Sequence, residues 1–284
     1  MTESAILLIS CADQRGLVAA VTDFILRHNG NILHLDQHVD TQQNVFFMRV
    51  EWDLHGFHLE KASIEAAFQP ISDRFNMTWR LHHSSDRLRM AIFVSKQSHC
   101  LHDILARHRS GELKVDIPII MSNHSNLESV AQTYGIAFKH YPITKENKVS
   151  QEQHQLEKLA EHRIDVVVLA RYMQIITEQF VRAYPNQIIN IHHSFLPAFA
   201  GAKPYHRAYE RGVKIIGATS HYVTPDLDAG PIIAQGVTNV SHKDSVSDMI
   251  RKGKDLEKTV LARAIWHHLQ HRLLVYNNKT VVFD

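Results

Sequence analysis

Asp165-Val166-Val167-Val168-Leu169-Ala170, followed at once by Arg171-Tyr172-Met173, is the stretch that decides the fold. The run is apolar without alternation. A strand of that kind needs cover on both faces, as in a parallel sheet flanked by helices. Outward from it, strands and helices take turns. Leu88–Val94 reads as a strand, His99–Ser110 as a helix, Ile117–Met121 as a strand and Phe138–Pro142 as a shorter one. Ser125-Asn126-Leu127-Glu128 predicts a capping box opening a helix that ends at Gly135, and a Ser-x-x-Gln box predicts the helix Ser150–His162. This alternation predicts an α/β domain on a mainly parallel sheet. Ligands in such sheets sit at the carboxyl ends of strands. Arg171-Tyr172-Met173 follows one such end, and Asn190-Ile191-His192 follows the apolar run Ile188-Ile189. Asp255–Gln270 reads as a last helix. Arg272–Tyr276 and Lys279–Phe283 then form a hairpin around Asn277-Asn278, residues that tolerate positive φ.

Upstream, the polar joint Ser84-Ser85-Asp86-Arg87 divides the chain into domains at 1–84 and 85–284. In the first, Ala5–Cys11 reads as a buried strand and Asp13-Gln14-Arg15-Gly16 as the turn into a helix. Leu17, Val18, Val21, Phe24 and Ile25 follow helical spacing. His28-Asn29-Gly30-Asn31 predicts a left-handed cap with the glycine at the strained position. Ile32–Asp40 and Val45–Trp52 are strands joined by a polar hairpin connection, Leu59–Asp73 is a helix, and Met77–His82 closes the domain as a strand.

A chain of 284 residues, 44% hydrophobic and 21% charged, is long enough for two domains and a sizeable core. A net charge of +2 with no block of like charge argues against a nucleic-acid binder. Residues 1–84 carry six Lys/Arg against ten Asp/Glu, and the rest 25 against 19. A mildly basic second part suits a small anionic substrate, and scattered solvated charge gives the same balance. Cys11 and Cys100 build no disulfide framework and read as buried thiols. Ala5–Ile9 is too short for a signal core and no run reaches membrane-spanning length, so a soluble cytoplasmic protein is expected. There are 22 histidines, but no His-Glu-x-x-His and no cysteine pair at zinc spacing, so no metal is expected. His267 and His271 have the spacing of one helix face, read as solvated surface.

The chemistry gathers in two segments, Asn190-Ile191-His192-His193-Ser194-Phe195-Leu196-Pro197 and His221 to Pro231. Asn190 can donate to a developing oxyanion, His192 can carry a proton near neutral pH, and Asp228 can orient an imidazole or a water. Each has an ordinary structural reading: a turn cap, a satisfied buried histidine, an Asx-turn. Their joint order argues for chemistry.

Asn-Ile-His-x-Ser-x-Leu-Pro followed by His-Tyr-Val-x-x-x-Leu-Asp-x-Gly-Pro-Ile-Ile resembles the catalytic pattern of formyltetrahydrofolate-dependent formyltransferases, over roughly residues 88–270. The resemblance implies Asn190, His192 and Asp228 as catalytic residues, with His221 beside them. It implies that Met173, Gln174, Ile175 and Ile176 form the loop whose backbone holds the pterin ring, and that Val223 to Asp228 face it. Two departures stand out. The glycinamide ribonucleotide branch has a Gly- and Ser-rich phosphate loop after its first strand, whereas this chain reads Ser95-Lys96-Gln97-Ser98-His99. Phosphate cradling relies on backbone amides brought close by small residues. His193 stands where the transferases usually have proline; it can help hold water or serve as a spacer.

Asp13-Gln14-Arg15-Gly16-Leu17, with the order strand, helix, strand, strand, helix, strand, resembles the ACT domain. That implies an amino-acid effector touching Asp13, Arg15, Gly16, Leu17 and Asn31, or a domain that only drives pairing into a homo-oligomer, a dimer or tetramer. An ACT domain ahead of a formyltransferase-like domain resembles the formyltetrahydrofolate deformylase family. Asn190 to Phe199 and Gly201 to Gly212 are also similar to it. The resemblance implies hydrolysis of 10-formyltetrahydrofolate to formate and tetrahydrofolate, balancing one-carbon pools for purine biosynthesis. Tetrahydrofolate enters as part of the substrate, with no separate cofactor. The competing expectations are a formyltransferase with an amine acceptor and a non-catalytic folate or amino-acid sensor.

Overall fold

The computed structural model describes residues 3–197 and 204–284. They form two compact units. One runs to Asp86 and takes in Gln270–Tyr276 and Val281–Asp284; the other comprises Arg87–Leu269 and Asn277–Thr280. Among the described residues no helix is long and apolar enough to cross a membrane.

The first unit contains β1 (Ser4–Ala12), α1 (Leu17–Arg27), β2 (Asn31–Asp40), β3 (Val45–Asp53), α2 (Lys61–Phe75) and β4 (Thr78–His83). The four strands form an antiparallel sheet in the order β2-β3-β1-β4. β1 is buried on both faces. Ala5, Leu7, Ile9 and Cys11 pack with Leu17, Val21, Phe24 and Ile25 of α1 and Ile64 and Phe68 of α2. Leu8 points the other way, into a cluster with Phe47 and Phe283 flanked by Leu274, Tyr276 and Val281. The sequence assigned those C-terminal residues to the second domain. They join the first unit because their apolar side chains find the back face of its sheet. Arg49, 2% exposed, ties the same segment down: its Nε donates to the His271 carbonyl (3.1 Å) and its Nη2 pairs with Glu51 (2.9 Å). The cap after α1 differs from expectation. Asn29 holds the left-handed conformation (φ 59°), while Gly30 is needed because a Cβ there would lie 2.5 Å from the Ile25 side chain.

The second unit contains β5 (Arg89–Val94), α3 (His99–Arg109), β6 (Asp116–Ser122), α4 (Glu128–Thr133), β7 (Ala137–His140), α5 (Lys148–Glu161), β8 (Val166–Leu169), α6 (Glu178–Ala183), β9 (Ile188–His192), α7 (Pro204–Arg211), β10 (Ile215–Tyr222), β11 (Ile232–Asn239) and α8 (Val246–Leu269). β12 (Leu273–Tyr276) and β13 (Lys279–Val282) pair as the final two-stranded sheet. The seven-stranded sheet runs β11-β10-β9-β8-β5-β6-β7. β7 to β9 are parallel, and β10 runs antiparallel to both of its neighbours. The order reverses beside β5, so the carboxyl ends of β5 and β8 flank a crevice of the kind that binds ligands in open α/β sheets.

Neither capping box forms. The Ser125 carbonyl, not its hydroxyl, accepts from the Glu128 amide (3.1 Å), and α4 begins at Glu128 itself. α5 starts at Lys148, and the Ser150 hydroxyl bonds back to the Asn147 carbonyl (2.8 Å). α8 begins nine residues before Asp255 and ends at Leu269. His271 therefore lies beyond it and stacks on His82 (centroids 3.7 Å apart), while His267 is buried, so the expected solvated pair on one helix face does not exist.

Replacing Phe283 by Ala removes the centre of the back-face cluster, so stability is expected to fall by about 3–5 kcal/mol in urea titration. A loss under about 1 kcal/mol contradicts this packing.

Candidate active site

β9 is the strand whose exit the sequence marked. Alternation along it turns Asn190 and His192 to the same face. β10 sets His221 directly opposite Asn190 and Thr219 opposite His192. The Asn190 amide nitrogen lies 3.2 Å from His221 Nε2, and His221 Nδ1 lies 2.8 Å from the Tyr222 carbonyl. A carbonyl only accepts, so the Nδ1 hydrogen goes to Tyr222 and Nε2 accepts from Asn190. Thr219 acts one layer deeper. Its hydroxyl donates to the Ser194 carbonyl (2.9 Å) and accepts from the Leu196 amide (3.0 Å), fixing the turn after His193.

Asp228 comes from the loop joining β10 to β11 and is itself left-handed (φ 55°). Its Oδ2 lies 3.2 Å from His192 Nδ1 and its Oδ1 lies 3.7 Å from His221 Nε2. The loop is pinned on both sides of the carboxylate. Gly230 passes so close to β10 that a Cβ would lie 1.8 Å from the Tyr222 carbonyl oxygen, and the Asn278 side chain donates to the Ala229 carbonyl (2.8 Å). The neighbouring imidazoles, His192 first and His221 second, hold the Asp228 carboxyl well below the usual range, outweighing its burial. It is therefore a carboxylate at any physiological pH.

A cavity of about 370 Å³ opens over this trio. Asn190, His192, His193, His221, Val223, Asp228 and the loop residues Met173, Gln174, Ile175 and Ile176 all line it, so every residue the sequence proposed for catalysis or substrate contact meets in one place. Met173, Ile175 and Leu227 stand 57%, 59% and 63% exposed at its wall, large apolar side chains with little of their own to pack against. Arg171, Thr224 and Pro225 also line the cavity; Thr224 and Pro225 belong to the Val223 to Asp228 loop expected to face the ring, and Arg171 had been marked only by its position after a strand end.

Behind Arg171 sits a buried polar cluster that the sequence did not disclose. Glu257 on α8, 1% exposed, accepts from Tyr205 (2.8 Å), contacts His99 Nε2 (2.7 Å) and lies 3.5 Å from Arg171 Nε. His99, Cys100 and Glu257 bring ligand-type atoms within 4.8 Å of one another. The Arg171 guanidinium already supplies the positive charge there. The Cys100 thiol, pushed far up by burial, stays protonated. Helical spacing gave no signal for Glu257, because a glutamate mid-helix reads as solvent-facing. The segment after β5 makes no phosphate cradle of the glycine-rich kind. The Ser95 hydroxyl is bonded to Asn123 and to the Met173 amide, and His99 to Glu257.

The residues proposed for an effector lie in the first unit. Gly16 caps α1 at φ 92°, and Arg15 and Asn31 are exposed. The Leu17 side chain is in the core (2% exposed), so only its backbone is available to a ligand. Residues 198–203, within the second sequence resemblance, lie outside the described residues.

Comparison with known proteins gives two family matches: formyl transferase over residues 88–265 and ACT domain over residues 5–70. The formyltetrahydrofolate deformylase of Synechocystis sp. is 57% identical over 280 residues, covering 99% of this chain and 98% of that protein. The formyltetrahydrofolate deformylase of Bacillus subtilis is 48% identical, covering 98% and 93%. The crystal structure of a formyltetrahydrofolate deformylase from Pseudomonas syringae pv. tomato superposes with a TM-score of 0.98 at 47% identity, covering 100% of this chain and 95% of that one.

Burial, followed by the nearby Arg171 charge, lowers the His193 pKa from 6.5 to about 4. The unfolded chain therefore takes up this proton first as pH falls, and stability is lost between pH 6.5 and about 4. The His193→Gln protein is expected to lose less melting temperature across that window than the wild type. Equal losses contradict the assignment.

Proposed function

This chain belongs to the formyltetrahydrofolate deformylase family, and from that membership and the site geometry we propose that it hydrolyses 10-formyltetrahydrofolate to formate and tetrahydrofolate. The observation that carries the reading is the meeting of Asn190, His192 and Asp228 at one cavity walled by exposed Met173, Ile175 and Leu227. The apolar wall suits a flat heteroaromatic ring, and the polar trio suits a formyl group at its edge.

Water adds to the formyl carbon, and the carbonyl oxygen becomes an oxyanion. One Asn190 N–H is taken by His221, which leaves the second to donate to that oxygen. Asp228 gives one oxygen to His192; its other stands 3.7 Å from His221, beyond hydrogen-bond reach, and is available to a water hydrogen. A carboxylate held so low is a weak base. Asp228 therefore orients the water and stabilises positive charge on His192, and the imidazole relays the proton toward the departing nitrogen. The carbon–nitrogen bond then breaks, giving formate and the amine. His193, neutral near pH 7, is placed to accept a second hydrogen bond from the water. The route calls on no metal, no second cofactor and no covalent enzyme intermediate. Formate and tetrahydrofolate released in this way rebalance the one-carbon pool that feeds purine synthesis.

The first unit is proposed to bind a small amino acid at Asp13, Arg15, Gly16, the Leu17 backbone and Asn31, and to pair into a homo-oligomer, a dimer or tetramer. In support, β2 is an edge strand with Leu33 and Leu35 exposed (51% and 36%), an edge that favours pairing. The two free, buried cysteines fit a reducing cytoplasm.

Asn190→Ala, His192→Ala and Asp228→Ala are each expected to keep the melting profile and lower kcat about a hundred- to a thousandfold. Folded variants with near-normal formate release sink the assignment. Amino acids are expected to raise the melting temperature of the whole chain; no shift with any of them leaves the first unit as a pairing module alone.

A further inference from the structure

α5 buries residues that a helix serving only as cover for a sheet would not. Beside Leu159 its inward side chains are Glu152 and Gln155, 2% and 0% exposed. Lys148, Glu152 and Gln155 are spaced four and three residues apart and so share one face. All three reach the same short segment between β8 and α6. Lys148 Nζ donates to the Ile175 carbonyl, and Gln155 Nε2 donates to the Tyr172 hydroxyl (3.3 Å). Glu152 Oε2 accepts from the Thr177 amide (2.9 Å) and from the Thr177 hydroxyl. From the opposite side, at the end of β5, the Ser95 hydroxyl accepts from the Met173 amide (3.0 Å) and donates to Asn123 Oδ1 (2.6 Å). Ser95 and Asn123 are themselves buried.

Residues 171–177 therefore hang between two polar anchors, one on α5 and one after β5. Burying a carboxylate and an amide is unfavourable unless their bonds accomplish something, and leucine at either position would pack α5 as well. What these bonds accomplish is specific. They tie down Met173 and Ile175 by the backbone while leaving their side chains more than half exposed at the cavity wall. The segment also starts from Arg171 in the left-handed conformation (φ 62°), which a free loop does not hold by itself.

We propose that Glu152, with Lys148 and Gln155 beside it and Ser95–Asn123 opposite, forms a set of positioning residues that fixes the 171–177 backbone in its ring-binding shape before substrate arrives. None of them touches the reacting atoms. Their effect is to remove the ordering cost that a mobile loop would add to binding. The inference rests on the reading that this loop faces the folate ring. Because Asn190, His192 and Asp228 stand on β9 and the β10–β11 loop, loosening the anchors weakens binding of ground state and transition state alike, which raises KM and leaves kcat.

The test uses the full chain, with tetrahydrofolate affinity by titration alongside steady-state kinetics. Glu152→Leu keeps the packing and removes the acceptor; Ser95→Ala cuts the opposite anchor. Each is expected to raise KM and the tetrahydrofolate Kd about tenfold or more with kcat within about threefold, and Glu152→Gln to restore most of the affinity. If Glu152→Leu does not fold, Ser95→Ala and Asn123→Ala carry the test on the other side. Folded anchor variants that bind tetrahydrofolate like the wild type, or that lose kcat with KM unchanged, overturn the inference. A wild-type chain that does not bind tetrahydrofolate overturns the folate reading itself, and this inference with it.

Discussion

The antiparallel register that sets His221 opposite Asn190 is the constraint on which the rest of the site depends. Side chains on a strand alternate, so a slip of one residue would turn Asn190 and His192 to the opposite face of the sheet. Several features hold the register. Ser220 donates to the Asn190 carbonyl from the opposite face, Thr219 grips the turn after β9, and Gly230 lets the return loop pass against Tyr222. Each of these lies one layer away from the reacting groups. β10 is the strand that breaks the parallel pattern of the sheet; it ends beside Ile189, and the loop that follows folds back to set Asp228 against His192.

Charge at the site is arranged in two tiers. The upper tier is His192, Asp228 and His221, where a carboxylate is shared unequally between two imidazoles. The lower tier is Glu257 with Arg171, His99 and Tyr205, one carboxylate surrounded by donors. Arg171 lines the cavity while contacting Glu257 behind it, and its charge helps keep His193 neutral. A neutral imidazole can accept a hydrogen bond from water, which an imidazolium cannot. The lower tier thus bears on His193 through electrostatics.

Much of this was legible in the sequence, and the parts that were not share a cause. Val166 to Leu169 declared a strand covered on both faces, and the two motif segments named residues that do share one cavity. Local signals were weaker. Ser125 and Ser150 sit near helix starts, but Ser125 accepts through its carbonyl and the Ser150 hydroxyl donates back to Asn147, because a cap depends on where the first turn closes. Gly30 looked like the left-handed residue, whereas Asn29 takes that role and Gly30 answers to the Ile25 side chain. Glu152, Gln155 and Glu257 carry no mark in the sequence, because periodicity counts polar residues as outward; only their partners across the fold show why they are buried. The C-terminal hairpin carried no address, since its apolar residues fit any exposed sheet face until Leu8 and Phe47 are seen to lack a cover.

Water as the acceptor is the central claim, and the segment after β5 bears on it. Where the resemblance to the glycinamide ribonucleotide branch leads one to expect glycines presenting backbone amides to a phosphate, this chain uses Ser95 to hold the 171–177 loop and His99 to hold Glu257. Ser95 and His99 are committed here to interior partners. The most direct measurement is turnover of 10-formyltetrahydrofolate in water enriched in oxygen-18, with glycinamide ribonucleotide present or absent. Hydrolysis predicts formate carrying one solvent oxygen, in amounts equal to the tetrahydrofolate released and unchanged by the amine. Little or no labelled formate, with the formyl group recovered on the amine, would contradict the account.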